Sequence, residues 1–254
     1  FGGTNYNSYT YVGWSWRAGG GVTSSNTDGS ITSTVQANTK AGFSIITWTA
    51  SGSNGSIGHG LSAKPDFHII KKYNSSNGWI VYHTSLGATK FLRLDLSNAS
   101  ASNQYLYNNT EPTSTVINLG DNGGTNHPSG DTYICYAWHS VEGFSKFGTY
   151  VGNGNNSGIY IHLGFRAKLF FLKEISSSDD WVVYDTARDT FNSGSSKVLR
   201  WDSSNSEFDD SSRAVDVTSQ GLKIRTSNAT INGSGVTYIF GAWADQSGKY
   251  SNTF

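Results

Sequence analysis

The sequence predicts an all-β protein made of two tandem antiparallel β-sandwich units, jelly-roll or lectin-like, related by internal duplication. Three observations predict it. The composition is turn-rich: 254 residues include 30 Gly, 3 Pro and 14 % aromatic residues, with abundant Ser, Thr and Asn, as expected of short strands joined by tight turns. Short apolar runs are separated by turn signals at a spacing of roughly 8–12 residues. The chain also repeats itself, in order and with slowly growing offsets. Gly42-Phe43-Ser44 returns as Gly143-Phe144-Ser145 (143 − 42 = 101), and Trp79-Ile80-Val81-Tyr82 as Trp181-Val182-Val183-Tyr184 (181 − 79 = 102). Thr132-Tyr133-Ile134-Cys135-Tyr136-Ala137-Trp138 returns as Thr237-Tyr238-Ile239-Phe240-Gly241-Ala242-Trp243 (237 − 132 = 105).

Residues 1–41 read as a lead-in. Thr10-Tyr11-Val12-Gly13-Trp14-Ser15-Trp16 has the pattern that closes each later unit. It predicts a strand over Tyr9–Trp16, either the end of a preceding repeat or a strand completing the first sheet. A Gly/Ser/Thr-rich linker follows from Gly19 to about Thr39. The first unit, 42–142, carries predicted strands at Phe43–Thr49, Phe67–Tyr73, Trp79–His83, Phe91–Leu96, Thr115–Leu119 and Tyr133–His139. The second, 143–254, carries them at Lys146–Val151, Ile159–His162, Leu169–Ile175, Trp181–Asp185, Val198–Trp201, Leu222–Arg225 and Tyr238–Trp243. Between them lie turn formers such as Gly52-Ser53-Asn54-Gly55 and Asn232-Gly233-Ser234-Gly235, which tolerate left-handed backbone or cap their own turns. No segment of about a dozen residues shows a helical apolar period. The chain has no Met, even at position 1, so a processed chain or a piece of a longer protein is expected.

Eighteen basic residues balance eighteen acidic ones, which argues against a nucleic-acid or anionic-membrane partner, since both need a basic excess. No apolar run approaches the ~18 residues of a membrane helix. A single Cys excludes an internal disulfide framework and a multi-cysteine zinc site. Nothing nominates an enzyme. The Glu-x-Asp-x-x-Glu of sandwich-type glucanases is missing, and Glu111, Glu142, Glu174 and Glu207 lie far apart. There is no Gly-x-Ser-x-Gly elbow and no phosphate-cradling loop. No metal and no cofactor are expected.

Cys135 aligns with Gly13 and Phe240, so it reads as a small core residue rather than a nucleophile. His59 and His162 sit at similar places in the two units and read as turn histidines bonded to backbone. Asp185, Arg188 and Asp189, in Tyr184-Asp185-Thr186-Ala187-Arg188-Asp189, form the densest polar cluster. Asp and Arg three residues apart could hold a sugar, or could pin the turn after a strand as an ion pair. Trp and Tyr rings stack on pyranose faces, and eight Trp, fourteen Tyr and thirteen Phe are a large supply. Trp16, Trp138 and Trp243 share one register, and Trp79 and Trp181 another, so these are expected in the core. Trp14, Trp48 and Trp201 lack an aromatic twin and are the expected exposed, glycan-binding indoles.

Ser30 to Ser44, Gly58-His59-Gly60-Leu61, Val141-Glu142-Gly143-Phe144-Ser145-Lys146-Phe147-Gly148 and Trp181 to Asp189 together resemble a domain of unknown function. It occurs in tail-fibre and other virion structural proteins of marine, cyanophage-type bacteriophages, often beside concanavalin-like lectin domains. The resemblance spans about residues 10–245 and brings no catalytic residues. It implies a structural and adhesive module on an extracellular virion appendage, in contact with other virion proteins and host surface polysaccharide, assembled as a homo-oligomer, commonly a trimer. The alternatives are a shaft or capsid-decorating module without ligand, and a secreted cellular carbohydrate-binding adhesin.

Overall fold

The computed structural model describes residues 7–190 and 192–244. Its strands in the first half are β1 (Ser24–Asn26), β2 (Ser33–Asn38), β3 (Phe43–Thr49), β4 (Gly55–Gly58), β5 (Phe67–Lys72), β6 (Ile80–His83), β7 (Lys90–Arg93), β8 (Ala101–Ser102), β9 (Val116–Leu119) and β10 (Thr132–Trp138). In the second half they are β11 (Ser145–Val151), β12 (Tyr160–His162), β13 (Ala167–Glu174), β14 (Val182–Asp185), β15 (Ser196–Arg200), β16 (Phe208–Asp210), β17 (Val215–Thr218), β18 (Gly221–Ile224) and β19 (Thr237–Ala244). Two single-turn helices, α1 (Gln104–Tyr107) and α2 (Ala229–Asn232), are capped by Asn103 and Asn228, whose side chains accept from the backbone N–H two residues on. All strand pairing among the described strands is antiparallel.

The large sheet of the first half runs β1-β2-β3-β10-β5-β6-β7-β8, and that of the second half β11-β19-β13-β14-β15-β16. From β3 onward the two share one strand order. Each is accompanied by a small sheet, β4-β9 in the first half and β12-β18-β17 in the second. Alternation along the strands explains the layering. Tyr133, Cys135 and Ala137 of β10 face a core shared with Ile57, Ile117 and Leu119 of the small sheet. Tyr238, Phe240 and Ala242 of β19 face the corresponding core with Ile161, Leu222 and Ile224. The other faces meet each other: Phe67, Ile69, Val81 and Trp138 pack with Leu169, Phe171, Val183 and Trp243 in a third core. The result is four layers, with the large sheets in the middle.

Polar bonds cross that central seam. The Trp181 indole donates to the Arg93 carbonyl at 2.8 Å, and Lys173 Nζ to the Ser97 carbonyl at 3.0 Å. Asp179 N–H donates to Ser97 and Ser100 N–H to Ile175, at 2.9 and 3.0 Å. His83 Nε2 lies 3.2 Å from the Phe240 carbonyl.

The lead-in departs from expectation. Residues 9–16 form no strand. Instead β1 and β2, in the stretch expected as linker, extend the first sheet beyond β3. The register also corrects the repeat alignment at β3. Phe43 pairs with Trp138 and Ser145 with Trp243, so the counterpart of Phe43 is Ser145 (145 − 43 = 102), one residue away from the Gly-Phe-Ser match. In that register Trp48 does have an aromatic counterpart, Tyr150. Trp48 stacks on Tyr133 with ring centroids 5.4 Å apart, and Tyr150 on Tyr238 at 4.9 Å.

Candidate functional site

At one end of the central seam the facing sheets do not close. A cleft of about 610 Å³ opens there, lined chiefly by Trp14, Trp79, Tyr136, Trp138, Trp201 and Trp243. Trp138 and Trp243 end equivalent central strands and turn inward by the same alternation. Their ring centroids lie 6.0 Å apart, edge to face, a favourable quadrupole arrangement.

Trp79 and Trp201 are held by one device used twice. Leu94 N–H donates to the Trp79 carbonyl, and the Asp95 carboxylate accepts Trp79 N–H, both at 3.0 Å. Trp201 N–H donates to the Trp181 carbonyl at 3.2 Å, and Asp202 accepts Trp181 N–H at 3.0 Å. The counterpart of Trp201 is therefore Leu94, and that of Trp79 is Trp181. Trp181 is fully buried, whereas Trp79 and Trp201 are half-buried beside the cleft.

Asp95 is the only carboxylate among the described lining residues. Burial pushes its carboxyl up, but the Arg93 guanidinium, at 2.9 and 2.7 Å, and Trp79 N–H outweigh that and hold it below the usual carboxylate range. Its counterpart Asp202 is moved the other way, chiefly by burial. The cleft thus offers flat aromatic faces and one neutralised acid, an arrangement suited to stacking rather than to proton transfer.

The lead-in reaches into this cleft. The Trp14 indole donates to Asp185 Oδ2 at 2.9 Å and meets the Trp201 ring at 6.5 Å. Trp16 lies 5.6 Å from Trp138 and 5.2 Å from Trp243. Two of the expected glycan contacts, Trp14 and Trp201, therefore come together, from parts of the chain 187 residues apart (201 − 14). Trp48 does not join them: it is 4 % exposed in the first core, and its expected exposure is corrected. Half of the eight indoles are buried in the cores: Trp48, Trp138, Trp181 and Trp243.

The cluster at Asp185 is a turn pin. Asp185 is buried at the end of β14, accepts Ala187 and Arg188 N–H, and pairs with Arg188 Nε at 2.7 Å. Burial would raise its carboxyl; the bonds from Arg188 and Trp14 hold it low. Arg188 also bonds Glu207, and Asp189 accepts Lys197 N–H at 3.1 Å. These groups face one another rather than a ligand; Asp185 reaches the cleft only through Trp14.

A family model described as a domain of unknown function, DUF7483, covers residues 1–247. The chain belongs to the DUF7483 family. No curated protein and no solved structure is significantly similar to this DUF7483 chain.

Other candidates resolve into packing. Cys135 is fully buried, and burial pushes its thiol pKa far up, so it is not a thiolate nucleophile. His59 is buried, its Nδ1 accepting Leu61 N–H at 3.1 Å and its Nε2 facing the Thr113 carbonyl at 3.3 Å. His162 is exposed, so the two histidines do not share an environment. Among the described residues no three His, Cys, Asp or Glu side chains are grouped to hold a metal ion. Sequence reasoning missed Trp79 and Tyr136. The available signal was inequality between copies, Tyr136 against Gly241 and Leu94 against Trp201.

Proposed function

We propose that this chain is a non-catalytic adhesive module of a phage tail fibre or related virion appendage, binding host surface glycan in the tryptophan-lined cleft. The carrying observation is the cleft itself. Its volume lies within the range of about 300–1,000 Å³ typical of ligand sites, and four of its indoles are half-buried around the opening. Trp79 and Trp201, held by backbone bonds, lose little entropy when a sugar stacks on them. The shared strand order supports an origin by duplication of one sandwich unit, jelly-roll or lectin-like. A homo-oligomer, trimeric in that setting, would multiply weak contacts by avidity.

Titrating fragments of bacterial and algal surface polysaccharides against intrinsic tryptophan fluorescence tests the reading. Trp79→Ala and Trp201→Ala are each expected to weaken binding about tenfold or more, while Tyr160→Ala, at an exposed ring of the outer small sheet, leaves it unchanged. Absence of binding by the folded native oligomer would refute it. It would then favour a shaft or decorating module, which the burial of Trp48, Trp138, Trp181 and Trp243 in the cores also suits.

A further inference from the structure

The segment from Trp14 to Ala18 enters neither large sheet, and Trp14, Ser15 and Trp16 line the cleft. Trp14 donates to Asp185, Asn38 Nδ2 donates to the Arg17 carbonyl at 3.1 Å, and just beyond the segment Gln36 Nε2 donates to Gly21. Aromatic contacts hold it as well, Trp14 on Trp201 and Trp16 on Phe43, Trp138 and Trp243. The indole N–H groups of Trp138 and Trp243, whose rings Trp16 meets edge to face, are buried and have no acceptor among the described residues. An indole packed on another indole brings its ring faces but no oxygen. A buried donor left unpaired is destabilising, and an oxygen-rich ring in the place of Trp16 would supply the missing acceptors.

We propose that this segment is a displaceable internal occupant of the cleft. Trp16 holds the place taken by a ligand ring, and Trp14, through Asp185, is the latch. The ligand it yields to is a pyranose-type sugar, which offers an apolar C–H face to Trp138 and Trp243 and ring or hydroxyl oxygens to their N–H groups. The sugar part of the proposal rests on the glycan reading above; the displacement does not.

Indole N–H exchange followed by NMR on the intact chain separates the two. Trp14 and Trp181 each donate a bond of similar length, to Asp185 at 2.9 Å and to Arg93 at 2.8 Å. Trp181 lies in the closed part of the seam and serves as the internal reference. If the segment opens locally, Trp14 exchanges about a hundredfold faster than Trp181, at a rate insensitive to low denaturant. Equal rates with one shared denaturant dependence would overturn the displacement.

Oligosaccharide added to the same sample is expected to accelerate Trp14 exchange and leave Trp181 unchanged. The double variant Trp14→Ala/Trp16→Ala removes the occupant. Shown folded by its retained Trp181 protection, it should bind the sugar about tenfold more tightly, because the competent fraction rises. Equal or weaker binding by that variant, while the parent binds, would overturn the proposal. If neither binds, the glycan reading fails, and the ligand-free exchange rates still decide whether the segment opens.

Discussion

Three histidines are buried as neutral rings, which predicts acid sensitivity in a definite pH window. His68 is fully buried with neither ring nitrogen paired, and burial lowers its pKa to about 3. His83 Nδ1 accepts Ser85 N–H at 3.1 Å and its Nε2 faces the Phe240 carbonyl, so the neutral Nε2–H form fits; burial lowers its pKa to about 4. His59 is bonded in the same way and is also lowered, chiefly by burial. Below an unfolded pKa of about 6.5 the unfolded chain binds protons that these rings refuse, so stability rises with pH between about 4 and 6.5 and falls on acidification. At about 1.4 kcal/mol per pH unit, His68 and His83 each contribute roughly 3 kcal/mol of lost stability by pH 4.5. That corresponds to a fall in Tm of the order of 10–20 °C for a chain of this length. Depressed carboxylates such as Asp185 act lower, near their unfolded pKa of about 4 and below. His68→Phe isolates one ring. Its counterpart Phe170 stacks on Tyr184 at 4.6 Å as His68 stacks on Tyr82 at 4.7 Å, so a phenyl ring has a precedent in the same packing. The variant should be more stable than the parent by about 1–3 kcal/mol at pH 7.5, where two unpaired buried nitrogens are removed. By pH 4.5 the gap should widen by roughly 3 kcal/mol. Thermal unfolding followed by circular dichroism from pH 7.5 to 4.5 reads both. A variant as acid-sensitive as the parent, or less stable at pH 7.5, would refute the reasoning.

The other predictions are structural. A Cβ on Gly241 would lie 2.4 Å from a ring carbon of Phe171 and 2.9 Å from Phe147, so Gly241→Ala should cost about 1–3 kcal/mol by overpacking; unfolding at the parent's midpoint in urea would contradict that packing. Arg188→Ala strands the buried Asp185 carboxylate and should cost about 3 kcal/mol, read by the same urea titration. A midpoint equal to the parent's would overturn the turn-pin reading.

Strands with strong apolar alternation were legible in the sequence, and their ends fall within a few residues of expectation: Phe43–Thr49 is β3 and Tyr133–His139 is β10 shifted by one residue. What stayed hidden has a physical cause. β2 reads Ser-Thr-Val-Gln-Ala-Asn, and only Ser33 and Val35 of it are buried, so its pattern is too weak to stand out from a polar linker. β4 lies in a Gly/Ser run that resembles a turn, and its place is set by pairing with β9, sixty residues further on. The Thr10–Trp16 motif imitates a closing strand, yet its indoles are held by an aromatic cluster instead of a ladder. The alignment of Gly-Phe-Ser with Gly-Phe-Ser looked persuasive because identical letters matched. A one-residue slip exchanges the two faces of a strand, and burial chooses the register that keeps Trp48 and Tyr150 both inside. Trp14 and Trp201 could be nominated as unpaired indoles, but their meeting depended on how two sheets face each other.

The cleft follows from inequality between equivalent positions. If the facing surfaces of the two large sheets were the same, each side of the seam would close or gape alike. They differ where it matters. Gly241 removes a side chain where the first sheet has Tyr136, and the rings of Phe147 and Phe171 move into that space. Trp201 stands where the first sheet has Leu94, and its ring lies 5.1 Å from Phe171 and 6.2 Å from Trp181. Trp181 is thereby enclosed and bonded to Arg93, while Trp79, its counterpart, keeps one edge toward solvent. One side of the seam packs as a core and the other remains open around indoles. The repeated residues account for the two sheets, their order and their inner cores. The unrepeated ones, together with Trp14 and Trp16 from outside both large sheets, account for the cleft.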